Sequence, residues 1–214
     1  MALLINAEGP ANLAKAAKLN NARFVHVSTD YVFDGKAHRP YTEEDIAEPP
    51  SAYGKTKLQG EKLVMKEGEG VLIFRTSWLY SEFGNNFLKT MMKYGKERDE
   101  LRVVFDQIGT PTYAVDLANA ILCIIHSKDK GDTNQIYHYS NEGVVSWYDF
   151  AKEIMEEAKI DCLISPILSV EYPLPAPRPY FSVMDKTKTK RDFTVEVPYW
   201  KDSMKKCIKV LLED

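Results

Sequence analysis

Apolar residues fall into short runs separated by longer helix-periodic stretches, the pattern of strands alternating with helices. Arg23 to Val27 (RFVHV) has the short length and the β-branched and aromatic content of a buried strand, with Ser28 and Thr29 at its carboxyl end. Val71–Arg75, Leu101–Phe105 and Gln135–Tyr139 read the same way. Between them the 3.6-residue period predicts a helix from Asn6, as cap, to Leu19, with Leu13, Ala16, Ala17 and Leu19 as its apolar face. Glu48-Pro-Pro-Ser ends a loop before a helix over Ser51–Lys66, and Asn85 or Asn86 caps another through Tyr94. Gln107–Pro111 is a turn before the helix Ala114–His126, whose core stripe is Leu117, Ile121, Leu122, Ile124 and Ile125. Ser146 caps a helix through Lys159. Tyr172 to Tyr180 carries four prolines and reads as a stiff extended loop. The tail from Tyr199 places Trp200, Met204, Ile208 and Leu211 at helical spacing.

Composition narrows the class. With 214 residues and 44% hydrophobic content the chain can bury a proper core. A net charge of −3 and the lack of a basic stripe argue against nucleic acid or an anionic membrane as partner. Cys123, Cys162 and Cys207 stand without metal or redox spacing and read as reduced thiols. Four scattered histidines make no metal motif, so no metal is expected. The opening MALLINAEGPANLAKAA has no basic n-region, and no apolar window approaches about 18 residues. A soluble, cytoplasmic protein is expected.

One segment carries candidate chemistry. Thr29 and Ser28 end a strand where ligands bind in open α/β sheets, and Tyr53 and Lys57, at i and i+4, share one face of the following helix. A phenol is a weak acid at neutral pH, but an ammonium nearby would stabilise its phenolate and lower its pKa. Tyr53 could then exchange a proton with a carbonyl oxygen that Thr29 or Ser28 also binds. Tyr-x-x-x-Lys is a weak motif in a chain with 12 tyrosines. A second match, Tyr148 and Lys152, lies in an amphipathic helix and reads as a surface pair with no hydroxyl-bearing strand end upstream.

No G-x-G-x-x-G or G-x-x-G-x-x-G turn occurs anywhere in the chain. A doubly wound nucleotide-binding fold needs such a turn so that backbone can approach a pyrophosphate. The expectation is therefore a chain lacking a first βαβαβ half, on the order of 60–80 residues, with the Arg23–Val27 strand left as an unpaired edge.

The segments STDYVFDG (28–35), PYTEED (40–45), YGKTKLQGEK (53–62), RTSWLY (75–80), GNNFLKTMM (84–92), DQIGTPTYAVDLA (106–118), YHYSNEGVVSWYDFA (137–151) and RPYFSVMD (178–185) together resemble the extended short-chain dehydrogenase/reductases, and within them the dTDP-4-dehydrorhamnose reductases. The resemblance implies an α/β fold: the C-terminal portion of a doubly wound Rossmann-like parallel sheet over 1–130, interleaved with a smaller α/β substrate-binding part over 131–214. It implies reduction of the C4 ketone of a dTDP-4-dehydro-6-deoxy sugar with NADP(H) or NAD(H). Thr29, Tyr53 and Lys57 would be catalytic, and Val27, Ser28, Tyr53 and Lys57 would meet the cofactor. Thr29, Asp30, Tyr31, Trp78, Asn86 and Arg178 would meet the dTDP-sugar. A core aromatic, a plain helix cap and a surface salt bridge are the alternatives for Trp78, Asn86 and Arg178. Related dehydratases carry Glu where Tyr31 stands, which favours simple reduction over dehydration or epimerisation. A non-catalytic module of the same fold, such as the regulatory subunit of methionine adenosyltransferase, is the other alternative, and a homodimer is one expected assembly.

Overall fold

The computed structural model describes residues 1–126, 134–173 and 176–213. The boundary expected at 130/131 and two positions of the proline-rich loop, 174 and 175, lie outside them.

A parallel three-stranded sheet organises the first half. β1 (Val25–Thr29) pairs with β2 (Leu72–Thr76), which pairs with β7 (Gln135–His138). Five consecutive buried residues in β2 mark it as the central strand, covered on both faces. On one face Val71 and Ile73 pack with Ala14 of α1 (Gly9–Leu19) and Val64 of α2 (Ala52–Glu67). On the other, Leu72, Phe74 and Tyr137 pack with Leu117, Ala120 and Ile124 of α4 (Ala114–His126). Among the described strands β1 has β2 as its one partner, so its other edge is open. The strand runs two residues later than its apolar run suggests, so Ser28 and Thr29 lie inside the hydrogen-bonded ladder.

A second layer holds the largest apolar cluster. α3 (Phe87–Glu97), α5 (Trp147–Ala158) and α7 (Trp200–Glu213) pack with β4 (Glu100–Val104) and β9 (Leu163–Ile167), which pair in parallel. Short pairs complete the fold: β3 (Leu79–Tyr80) with β6 (Thr112–Tyr113), and β5 (Ile108–Gly109) antiparallel to β8 (Val145–Ser146). α6 (Thr187–Phe193) lies against β7, where the Thr189 hydroxyl donates to the His138 carbonyl at 2.6 Å.

Three expectations are corrected. Asn6 is no cap: it sits inside a five-residue π turn, Leu4–Glu8, that runs into α1. Pro10 has no N–H to offer the Asn6 carbonyl in an α ladder, and the Asn6 amide instead donates to Thr56 Oγ1 at 3.1 Å. In α4, Leu122 is 51% exposed, because the face that packs on the sheet is Leu117, Ala120 and Ile124. The third concerns the surface Tyr148–Lys152 pair. A hydroxyl does end the strand before it, but Ser146 Oγ is bonded to Asp149 Oδ2 at 2.6 Å in the α5 capping box.

Candidate active site

The carboxyl end of β1 turns directly into a 3₁₀ turn, Asp30–Val32, that Thr29 caps: Tyr31 N donates to Thr29 Oγ1 at 3.2 Å. The Thr29 hydroxyl donates to Asp30 Oδ1 at 3.0 Å. α2 starts beside this turn. Ser51 Oγ accepts from Gly54 N at 3.0 Å, and a methyl at Gly54 would lie 2.2 Å from the Tyr31 carbonyl, so only glycine lets the two backbones meet. That contact brings Tyr53 to the strand end, near enough to Thr29 for that hydroxyl to act on the phenol. The rings of Tyr31 and Tyr53 are 5.7 Å apart at 76°, edge to face. One turn on, Lys57 Nζ donates to the Val27 carbonyl at 2.8 Å. Tyr53 is 48% exposed and Val27, in mid-strand, 39%, so this end of β1 is open.

The electrostatics correct one expectation. The Tyr53 phenol is not depressed by Lys57: partial burial raises it, Thr29 opposes the rise, and the Asp30 charge adds to it. The ammonium is committed to the Val27 carbonyl, and burial lowers its own pKa against the pull of Glu61. Asp30 is buried, which pushes its carboxyl up to about 7, countered in part by Thr29, Ser182 and the backbone of Asp30 and Tyr31. His26, buried on the same strand, is lowered to about 4 by burial and then by Lys57.

The remaining candidates are scattered in sequence. Trp78 follows β2 and stacks on Trp147 of α5 with ring centroids 3.5 Å apart and planes 6° apart. Asn86 caps α3: its Oδ1 accepts from Lys89 N at 3.1 Å and its amide donates to Ser81 O at 2.7 Å, so the cap alternative accounts for both polar atoms. Arg178 is exposed, close enough to the Tyr31 phenol to act on it electrostatically. Its loop docks on the turn after β1, where Phe181 N donates to Gly35 O at 3.1 Å. Sequence reasoning missed Ser182 beside Asp30, Trp147 on Trp78, and the buried Glu61–Arg75 ion pair behind the site, with Nη2 to Oε2 at 2.7 Å. The i+4 spacing of Lys57 and Glu61 was the one visible signal for that pair. Among the described residues no group of three or more His, Cys, Asp or Glu is placed to share a metal ion. No helix among them is long and apolar enough to cross a membrane. A cleft of about 660 Å³ lined by Arg23, Val25, Ile121 and His126 lies at the amino end of β1, opposite the site.

Comparison with known proteins decides the kinship. The model of the RmlD substrate binding domain family matches residues 1–213. The chain belongs to that family. A dTDP-4-dehydrorhamnose reductase of Aggregatibacter actinomycetemcomitans is 42% identical over 209 residues, spanning 94% of this chain and 71% of the relative. A solved dTDP-4-dehydrorhamnose reductase from Clostridium acetobutylicum superposes with TM-score 0.91 at 47% identity, over 97% of this chain and 72% of that one. The Bacillus anthracis enzyme, solved in complex with NADP, gives TM-score 0.91 at 38% identity over 96% and 72%. The RmlD-type α/β fold expected from the resemblance is thus the fold observed.

Proposed function

We propose that the chain carries the reduction of the C4 ketone of dTDP-4-dehydro-6-deoxy-L-mannose to dTDP-L-rhamnose with NAD(P)H, a step of nucleotide-sugar and cell-surface polysaccharide biosynthesis. The observation that supports it most is the gathering of Tyr53 against Tyr31, next to Thr29, at the open end of β1, with Lys57 one turn along the same helix on the Val27 carbonyl. The residues there suit a nicotinamide cofactor: an exposed apolar strand residue, Val27, lies beside an ammonium and a phenol, with Ser28 between them and Thr29. When bound, NAD(P)H supplies the hydride that C4 receives.

The chain's own residues do the rest. A phenol raised above its ordinary pKa is fully protonated at neutral pH, which suits Tyr53 to donate its proton to the C4 oxygen as negative charge develops there. Thr29 binds the same oxygen. Lys57, held by the Val27 carbonyl, stands at this strand and holds the nicotinamide ribose. Val27 and Ser28 face the nicotinamide. Asp30, Tyr31 and Trp78 line the sugar-nucleotide pocket, and the free N–H groups of the helix that Asn86 caps, together with Arg178, face the diphosphate. We place the reaction in the cytoplasm, with neither nucleic acid nor membrane as partner and a homodimer as the assembly to test by sedimentation.

The test is NADPH consumption with dTDP-4-dehydrorhamnose, the product identified by chromatography. Tyr53→Phe lowers kcat by about 100-fold or more and leaves the Kd for dTDP-L-rhamnose unchanged. Undiminished turnover in that variant removes Tyr53 as the proton donor, and absence of dTDP-L-rhamnose from the wild-type reaction overturns the assignment.

A further inference from the structure

Trp78 holds a backbone conformation that its side chain disfavours. Its φ of +47° lies in the left-handed region, where a residue with a Cβ persists only if its surroundings over-determine it. Three sets of contacts do so. The main chain is pinned by Thr112 N, which donates to the Trp78 carbonyl at 3.2 Å, and by the neighbouring Ser77 hydroxyl, which donates to Thr110 O at 2.8 Å. Trp147 stacks on the indole and is itself backed by Phe87, 4.5 Å away. Gly109 meets the indole too: a methyl there would lie 2.6 Å from Cε2 and 2.7 Å from Cζ2 of Trp78.

The same methyl would lie 2.7 Å from Ser182 Oγ, in the segment whose Phe181 N donates to Gly35 O at 3.1 Å in the turn after β1. Gly109 therefore stands where the Trp78 indole and the turn after β1 converge, and any side chain there would push on both. Trp147 arrives from the first turn of α5, where the Ser146–Asp149 capping box fixes the helix start. What Gly109 and Trp147 control is where the indole sits.

We infer that Gly109 and Trp147 are positioning residues for sugar-nucleotide recognition: together they hold the Trp78 indole in place as one wall of the pocket for the dTDP-hexose. The inference rests on the reading of Trp78 given under the proposed function. Trp147 acts by stacking and Gly109 by leaving space, so their variants fail differently. Trp147→Phe keeps a flat ring against Trp78. Trp147→Leu keeps apolar volume and loses the stack, and Gly109→Ala drives a methyl into the indole and the Ser182 hydroxyl.

The experiment titrates wild type and the three variants with dTDP-L-rhamnose by calorimetry, alongside near-ultraviolet circular dichroism and thermal melting. Two indoles stacked in a fixed geometry give a strong near-ultraviolet signal, which falls in both Trp147 variants. The expected result is a Kd raised about tenfold in Trp147→Leu and Gly109→Ala and within about twofold of wild type in Trp147→Phe. If wild type binds and both Trp147→Leu and Gly109→Ala bind as tightly, even with a lowered melting temperature, the pair is a core contact only and the inference is overturned. If wild type itself does not bind dTDP-L-rhamnose, the substrate assignment fails first, and the positioning role falls with it.

Discussion

At the scale of single residues, the groups around β1 make opposing demands on pH. Asp30 has its folded pKa raised to about 7 from 3.8, so the stability it contributes is full below 3.8 and is lost as pH rises through about 7. His26 and His138 are lowered from 6.5, to about 4 and about 3, chiefly by burial. Their contribution is present above 6.5 and is lost as pH falls toward those values. Each group changes stability by about 1.4 kcal/mol per pH unit inside its window. Between about pH 4 and 6.5 the two histidines outweigh the aspartate, and above 6.5 the histidine contribution is complete while that of Asp30 is still being lost. Urea unfolding across this range is expected to give maximal stability near pH 6.5. In Asp30→Asn the decline from pH 6.5 to 7 flattens, and a wild-type stability that keeps climbing through pH 7 contradicts a raised Asp30.

At the scale of elements, α2 is held to the sheet by more than apolar contact. Glu61, 2% exposed, takes Arg75 of β2, 4% exposed, in a forked pair with Nε to Oε1 at 3.0 Å and Nη2 to Oε2 at 2.7 Å. The guanidinium also lies 5.1 Å over the Phe33 ring, joining helix, central strand and the turn after β1. Removing one partner of a buried pair strands the other charge, which costs about 3–5 kcal/mol, whereas replacing both with apolar groups of similar volume can be nearly neutral. Glu61→Leu should therefore destabilise by about that amount, and Glu61→Leu/Arg75→Met by much less, as read from urea midpoints. Equal losses in single and double variants would show that the pair's charges do not matter.

At the scale of the whole molecule, the site meets the largest core at one edge, where Trp78 and Trp147 pack against it. The site draws on the end of β1, the start of α2, Trp78, Gly109 and the 178–182 segment, while α3, α5 and α7 close a core around Phe150, Ile154 and Met204, each fully buried. Met204→Ala leaves a cavity costing about 2–5 kcal/mol, yet it touches nothing at the strand end. A urea midpoint lowered to match, with an unchanged Kd for dTDP-L-rhamnose, is the expected outcome. Loss of binding in a variant still folded would show that the cavity is transmitted to the pocket through the Trp78–Trp147 edge of the core.

The sequence by itself determined what local physics specifies. Ser51, Asn86 and Ser146 announced helix starts because a cap is a bond to a backbone N–H three residues on. The stripe of Trp200, Met204 and Ile208 announced α7 because period alone places them on one face, and the run from Ser28 through Lys57 announced the candidate chemistry. Long-range packing decided the rest. β9 was hidden by Pro166, tolerated because among the described strands it pairs with β4 alone and leaves an edge. α6 was hidden because TKTKRDF has no apolar stripe and is held by bonds to β7. The direction of the Tyr53 shift, the Glu61–Arg75 pair and the Trp78–Trp147 stack depend on burial and on partners up to 69 positions away in the sequence. Those are quantities that only a closed fold defines.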